Sequence, residues 1–349
     1  MAPDAYVVGL DVGGTTCSAT VLAVEGDFLV HELVEYPSRV TEGPEVAIEA
    51  IAGAFTNILQ VAGVTARSVV GVGLDTPGPA SADGVLSSRG ATNFSAPEWH
   101  GFRFREEVER RLGLPVTYLN DANAAALYAH QRHFGVHAAE RSSVSAIVGT
   151  GLGGGVVDHG RVLTGATGQA GELGHVHIPM AGLLEDDQPV PVCNCGFSGD
   201  AESVASLTGI TRNLLPYWLT RYPGHELGRL PVEEAARLVR GYAERGDPLA
   251  LAVFRQQAVA IGRLFTIAAN VVDPHAYFVG GGVVEAAPHF RDWFLATIRE
   301  HTALREEQAR AAEFLIVPDR DMAGARGAAL AARAQLAVPP APGLSARDG

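Results

Sequence analysis

Residues 193 to 202, CNCGFSGDAE, set Cys193 and Cys195 one residue apart, add a turn-forming Gly-Phe-Ser-Gly, and end on Asp200 and Glu202. Cys17 is the only other cysteine, so the pair reads either as half of a metal site or as a hydrogen-bonded turn, not as a disulfide framework. Upstream, GQAGELGHVHI places Glu172 and His175 three residues apart, which puts both on one side of a turn; His177 reads as a structural histidine. DVGGTT offers different chemistry. Asp11 closes a strand, and Gly13, Gly14, Thr15 and Thr16 form a turn whose N–H groups, freed by positive φ and close approach, can converge on a phosphate while Asp11 holds Mg2+ through its water shell. An ordinary hairpin turn is the alternative. GTGLGGG, with Gly149, Thr150, Gly151 and Gly153, has the same character and the same alternative, and Gly280, Gly281 and Gly282 make a third close-approach turn. A dinucleotide fingerprint fits GTGLGGG poorly, because a strand follows it where that motif needs a helix. Asp121, after a strand and at the opening of a helix, is the candidate general base, beside Asn120, whose amide suits sugar hydroxyls. Helix capping explains such an aspartate equally well.

The elements that must position these groups follow from apolar spacing. YVVGLDVGGTTCSATVLAV reads as strand, tight turn, strand, and VSAIVGTGLGGGVVDHGRVL repeats that unit, a sign of internal duplication. A helix is predicted between Gly43 and Gly63, a strand ending in Pro-Gly-Pro at VVGVGLDTPGPA, a helix after Gly101, a strand over about 116–119, and a helix opening at Asn120 and Asp121. An amphipathic region covers about 231–270, AYFVGGG gives another strand, and an alanine-rich helix covers about 322–336. The last residues hold too little apolar surface to pack, so 339–349 is expected to be a disordered tail.

Composition narrows the partners. A chain of 349 residues has room for two domains, and 47% apolar residues supply sizeable cores. A formal net charge of −13 argues against a nucleic-acid surface and for a small-molecule partner. No apolar run nears the roughly 18 residues of a membrane span, so no membrane partner is expected. Three cysteines without an export signal point to a reducing cytoplasm.

DVGGTT, LNDAN, GTGLGGG, AGELGH and CNCG, in that order from about Tyr6 to Leu336, resemble the ROK family of bacterial repressors, open reading frames and sugar kinases. The resemblance implies an α/β, two-domain, actin-like ATPase (ribonuclease H-like) fold with a nucleotide cleft: 1–122 plus 320–338 as the small domain and 123–319 as the large one. It implies ATP and Mg2+, and an Asp121 that takes the proton from the hydroxyl being phosphorylated. Asn120, Glu172, His175 and Glu202 would hold the sugar, with Gly78, Asn93 and Gly151 on the pocket wall. Family kinases bind a structural zinc through three cysteines and the histidine matching His175; here Cys193 and Cys195 remain and Asp200 stands at the third cysteine's place. An aspartate oxygen is an acceptable zinc ligand. The stretch from His175 to Cys193, with its acidic LLEDDQPVPV, is longer than usual, and Thr16 stands where many relatives carry lysine or asparagine.

Glucose phosphorylated at its 6-hydroxyl is the default reaction implied. A C7 cyclitol such as valienone or epi-valiolone, phosphorylated at its 7-hydroxyl, is the rival, and an N-acylated amino sugar is third. The family's sugar-sensing repressors place a helix-turn-helix ahead of the body, for which no room precedes Asp11, and a non-catalytic scaffold sits badly with the presence of both Asp11 and Asp121. A homodimer or homotetramer is expected by resemblance alone.

Overall fold

The structure, a computed structural model, describes residues 5–78, 81–86, 94 and 96–336. Two five-stranded sheets are built to one plan. In the first, the apolar N-terminal run forms β1 (Tyr6–Val12) and pairs antiparallel with β2 (Thr16–Ala23), which pairs with the short β3 (Glu35–Pro37). Next, β4 (Val69–Thr76) lies parallel to β1, and β5 (Val116–Asn120) parallel to β4, giving the order β3-β2-β1-β4-β5. The second sheet repeats it with β6 (Ser143–Val148), β7 (Leu152–Asp158), β8 (Arg161–Val162), β9 (Ala276–Gly280) and β10 (Glu313–Ile316) in the order β10-β9-β6-β7-β8. Here too the first three strands run antiparallel and the last two parallel to the first. The duplication expected from the two glycine hairpins therefore extends to whole sheets.

Helix α1 (Pro44–Ala62) starts on a proline and stops at Gly63, which takes the left-handed conformation that ends helices. By length and composition it is the kind of helix that crosses a membrane, which the sequence reading did not anticipate. Its Ala47, Ile48, Ile51, Phe55, Ile58 and Leu59 are instead buried in the first sheet's core, and Glu49 pairs with Arg111 on α2 (Phe104–Leu112). Helix α3 (Asp121–Phe134) leaves β5 directly. Between β8 and β9, α4 (Leu207–Gly209) runs through a π segment into α5 (Leu215–Arg221), and the amphipathic region forms α6 (Val232–Glu244) and α7 (Pro248–Val271). Helices α8 (Pro288–Glu300) and α9 (Glu306–Ala311) and strand β10 were not legible. The alanine-rich C-terminal helix is α10 (Ala323–Leu336); the expected tail lies outside the described residues.

The helix that follows each sheet packs on the other. Helix α3 lies against β6 and β7, while α10 lies across β1, β4 and β2, and the two helices pack on each other. Small residues make this approach possible. A Cβ on Gly9 of β1 would sit 1.9 Å from the Ala325 carbonyl oxygen, and one on Gly327 1.8 Å from that of Ala124. Buried Arg326 joins the helices further, donating to the Tyr128 hydroxyl at 2.8 Å and pairing with Asp319.

Candidate functional site

The glycine turns fall at the same end of each sheet's first strand. Between β1 and β2 the Gly13 N–H donates to the Thr16 carbonyl at 2.8 Å, and the Ser38 N–H donates to that of Thr15 at 3.0 Å, leaving the threonine side chains exposed. Between β6 and β7 the Gly149 N–H donates to the Gly151 carbonyl at 2.9 Å. The third turn, after β9, opens a short 3-10 helix over Gly282–Val284. Positive φ, anticipated for the phosphate turns, is used only at Gly281 (83°) among their described glycines. There a Cβ would lie 2.3 Å from the Val148 carbonyl oxygen, so the third turn presses on the strand end that launches the second. In the second turn the requirement is close approach at Gly151 and Gly153, where a Cβ would stand 2.5 Å from Glu202 Oε2 and 2.7 Å from the Ala122 Cβ, whereas one on Gly13 in the first would meet only the Thr16 carbonyl at 3.3 Å.

Two acids share one strand register. Asp11 lies opposite Asp75 on β4, and Asp75 is 0% exposed with no donor to either oxygen among the described residues. Burial, then the Asp11 charge, raises the Asp75 carboxyl well above the usual range. Burial raises Asp11 as well, an effect its contact with Asp75 opposes and Glu35 reinforces. The one bond open to Asp75 is to Asp11, and it requires a proton on one of the two acids. Asp75 was missed in the sequence, although an acid inside VVGVGLDT is itself anomalous. Beside it the Thr76 and Tyr118 hydroxyls meet at 2.6 Å, and burial, together with the charges of Asp75, Asp121 and Glu172, raises the tyrosine.

Asp121 does not cap α3. Asn120 is the N-cap, its Oδ1 accepting from the Ala122 N–H at 2.9 Å, while Asp121 Oδ1 takes the same N–H at 2.7 Å as the first helical residue. What Asn120 can offer a hydroxyl is its amide nitrogen and the second lone pair of Oδ1. Burial first, then the charge of Asp11, pushes the Asp121 carboxyl up to about 7, with Glu172 adding to the rise. A carboxylate poised there is matched to proton abstraction near neutral pH.

The long segment between β8 and α4 carries the remaining candidates. Glu172 precedes a 3-10 turn that ends on His175. Burial raises Glu172, His175 lowers it, and Glu202 raises it again. One ligand atom from each of His175, Cys193, Cys195 and Asp200 lies within 4.8 Å of all the others. The loop closes through Cys193 N–H to Phe197 O at 2.8 Å and a backbone bridge between His177 and Asp200. Asp200 is fully buried; although burial alone would raise it, bonds from His175 and the Ser203 N–H hold its carboxyl low. That bond to Asp200 pushes His175 up to about 9, and burial pushes the Cys193 thiol up. One imidazole, two thiols and one carboxylate gathered this closely suit a tetrahedral Zn2+ with bonds of about 2.0–2.3 Å. Glu202 accepts from the Leu152 N–H at 2.9 Å and from the Cys193 thiol at 3.2 Å, and a Cβ on Gly151 would stand 2.5 Å from its Oε2. Gly78 lies half-buried in the bend after β4, and Asn93 falls outside the described residues.

The ROK family profile matches residues 7–335. The chain is 33% identical over 286 residues to a glucokinase of Thermotoga maritima, covering 81% of this chain and 84% of that one. A ROK hexokinase crystal structure from Thermus thermophilus superposes with a TM-score of 0.74 at 33% identity, covering 95% of this chain and 99% of that one. A ROK glucokinase from Streptomyces griseus, solved with glucose and AMPPNP, superposes with a TM-score of 0.68 at 28% identity, covering 94% and 99%. The expected actin-like α/β fold is the fold found.

Proposed function

The chain belongs to the ROK family, and from that premise we propose that it is an ATP-dependent sugar kinase that phosphorylates the primary hydroxyl of a hexose, glucose by default. The observation that carries this reading is Asp121, a half-buried carboxylate at the first turn of α3 that feels the charges of both Asp11 on β1 and Glu172 in the loop after β8 and is pushed up to about 7. In the reaction, Asp121 takes the proton of the primary hydroxyl. That oxygen forms a bond to the γ-phosphorus, and the bond from the γ-phosphorus to the β,γ-bridging oxygen breaks, releasing ADP. Glu172, His175, Glu202 and the Asn120 amide hold the ring hydroxyls; the turns of Gly13, Gly14, Thr15 and Thr16, of Gly149, Thr150, Gly151 and Gly153, and of Gly280 to Gly282 hold the nucleotide. Mg2+, when bound near Asp11, neutralises charge on the phosphates.

We assign residues 1–122 with 320–338 to a small domain and 123–319 to a large one, with the substrates between them; the packing of α10 on the first sheet supports this division. We assign a structural Zn2+ to His175, Cys193, Cys195 and Asp200, whose part is to fix the loop that carries His175 and Glu202. Both thiols must stay reduced for that, which agrees with a cytoplasmic enzyme, and all three cysteines are free. A homodimer or homotetramer is the expected assembly.

An ADP-release assay with ATP and Mg2+ across glucose, mannose, N-acetylmannosamine and C7 cyclitols tests the reading. Turnover highest with glucose is expected. Turnover of a cyclitol alone would transfer the assignment to that substrate class, and no turnover of any polyol would end the kinase reading. Replacing ATP with polyphosphate in the same assay identifies the donor.

A further inference from the structure

The second glycine turn is held almost entirely from one short segment of chain. The Glu202 Oε2 accepts the Leu152 N–H at 2.9 Å; the Leu207 N–H donates to the Gly149 carbonyl at 3.0 Å; the Thr208 N–H and hydroxyl donate to the Thr150 carbonyl at 3.1 and 2.9 Å. With both carbonyls tied back, neither Thr150 nor Gly151 donates its N–H to protein among the described residues. Glu202 is fixed in turn, its own N–H bonded to the Gly174 carbonyl at 2.8 Å, between Glu172 and His175.

We propose that Glu202 and Thr208 are positioning residues for the nucleotide turn, and that Glu202 couples that turn to the sugar and metal loops. The inference rests on the kinase reading but concerns a different contact: Glu202 acts on the phosphate turn through the Leu152 N–H, apart from any bond to a sugar hydroxyl. A carboxylate has about four acceptor sites on its two oxygens, so Oε2 keeps Leu152 while Oε1, which now accepts from Cys193, remains able to take a hydroxyl. Sugar binding that orders Glu202 thereby orders the turn. Because binding free energies are linked, nucleotide must tighten sugar by the factor with which sugar tightens nucleotide.

The test measures binding of Mg2+ with AMPPNP by calorimetry, without and with glucose as the sugar probe, together with hydrogen exchange of the peptide spanning 149–155. Glu202→Ala should weaken AMPPNP about tenfold, the size of one lost charge-assisted hydrogen bond, and speed exchange at Leu152. Glu202→Gln keeps a carbonyl acceptor for Leu152, so it should restore AMPPNP binding while sugar binding stays impaired. Thr208→Val, on the exposed side of the turn, should weaken AMPPNP severalfold without changing sugar affinity measured in the absence of nucleotide. Unchanged AMPPNP affinity and exchange in Glu202→Ala and Thr208→Val, with tight binding to wild type, would overturn the inference and leave the kinase reading standing. Wild-type protein that binds neither AMPPNP nor sugar would remove both.

Discussion

Asp11 and Asp75 face each other in register at the ends of two adjacent parallel strands, and Asp75 is fully buried with no donor to its carboxylate among the described residues. Two such acids cannot both ionise cheaply, because each charge is desolvated and repels the other. The pair therefore demands either a proton or a nearby cation.

Stability should record the proton. A carboxyl raised above its unfolded value contributes stability that is complete below the unfolded pKa and is lost as pH rises through the folded one. Both acids are raised, so wild-type protein in chelator should lose stability as pH climbs past the ordinary carboxylate range. Asp75→Asn should flatten that slope. Urea unfolding from pH 5 to pH 9 decides it, and parallel curves for the two proteins would contradict the shared proton.

Asp121 must be ionised to accept a proton, so kcat should rise as pH passes through about 7. Asp121→Asn should lower kcat by about 10²–10⁴-fold, the usual contribution of a general base, with a smaller change in sugar affinity. A variant retaining wild-type kcat and the same rising limb would remove Asp121 from that role.

Metal content can be read without activity. Protein purified without chelator should hold about one zinc per chain by elemental analysis, and stripping it should lower the melting temperature. Because the buried Cys193 thiol resists ionisation, uptake should release protons and strengthen with pH. Cys193→Ser should lose the metal, whereas Asp200→Cys should hold it more tightly. Zinc-free protein with an unchanged melting temperature after chelation would reduce the loop to a hydrogen-bonded turn.

The close seat of α10 on the first sheet predicts a costly methyl group. Gly9→Ala would force a Cβ to 1.9 Å from the Ala325 carbonyl oxygen, which backbone movement must relieve at about 1–3 kcal/mol. Gly53→Ala, on α1 where a Cβ meets nothing within 4 Å, is the control and should be neutral or slightly stabilising. Equal melting temperatures for Gly9→Ala and wild type would contradict the packing.

Local pattern was enough for much of this molecule. Apolar runs broken by glycine gave both hairpins, Gly43 and Gly63 bracketed α1, and the order of short motifs gave the family, because each of these signals is written in neighbouring residues. The grouping of His175 with Cys193, Cys195 and Asp200 came from resemblance, and the chain's folding brings their ligand atoms together. Other features depend on contacts that no window contains. The short β3, β8 and β10 owe their pairing to partner strands, since two to four residues carry no period of their own. Asp75 gains its meaning only from Asp11 across the sheet, and the hold of Glu202 on the second glycine turn is visible only in its bond to Leu152, 50 residues away along the chain. The sequence by itself determined which chemical groups are present and which local turns present them; the tertiary structure decided which acids lose their water and which share a neighbour, because desolvation and charge repulsion act through space.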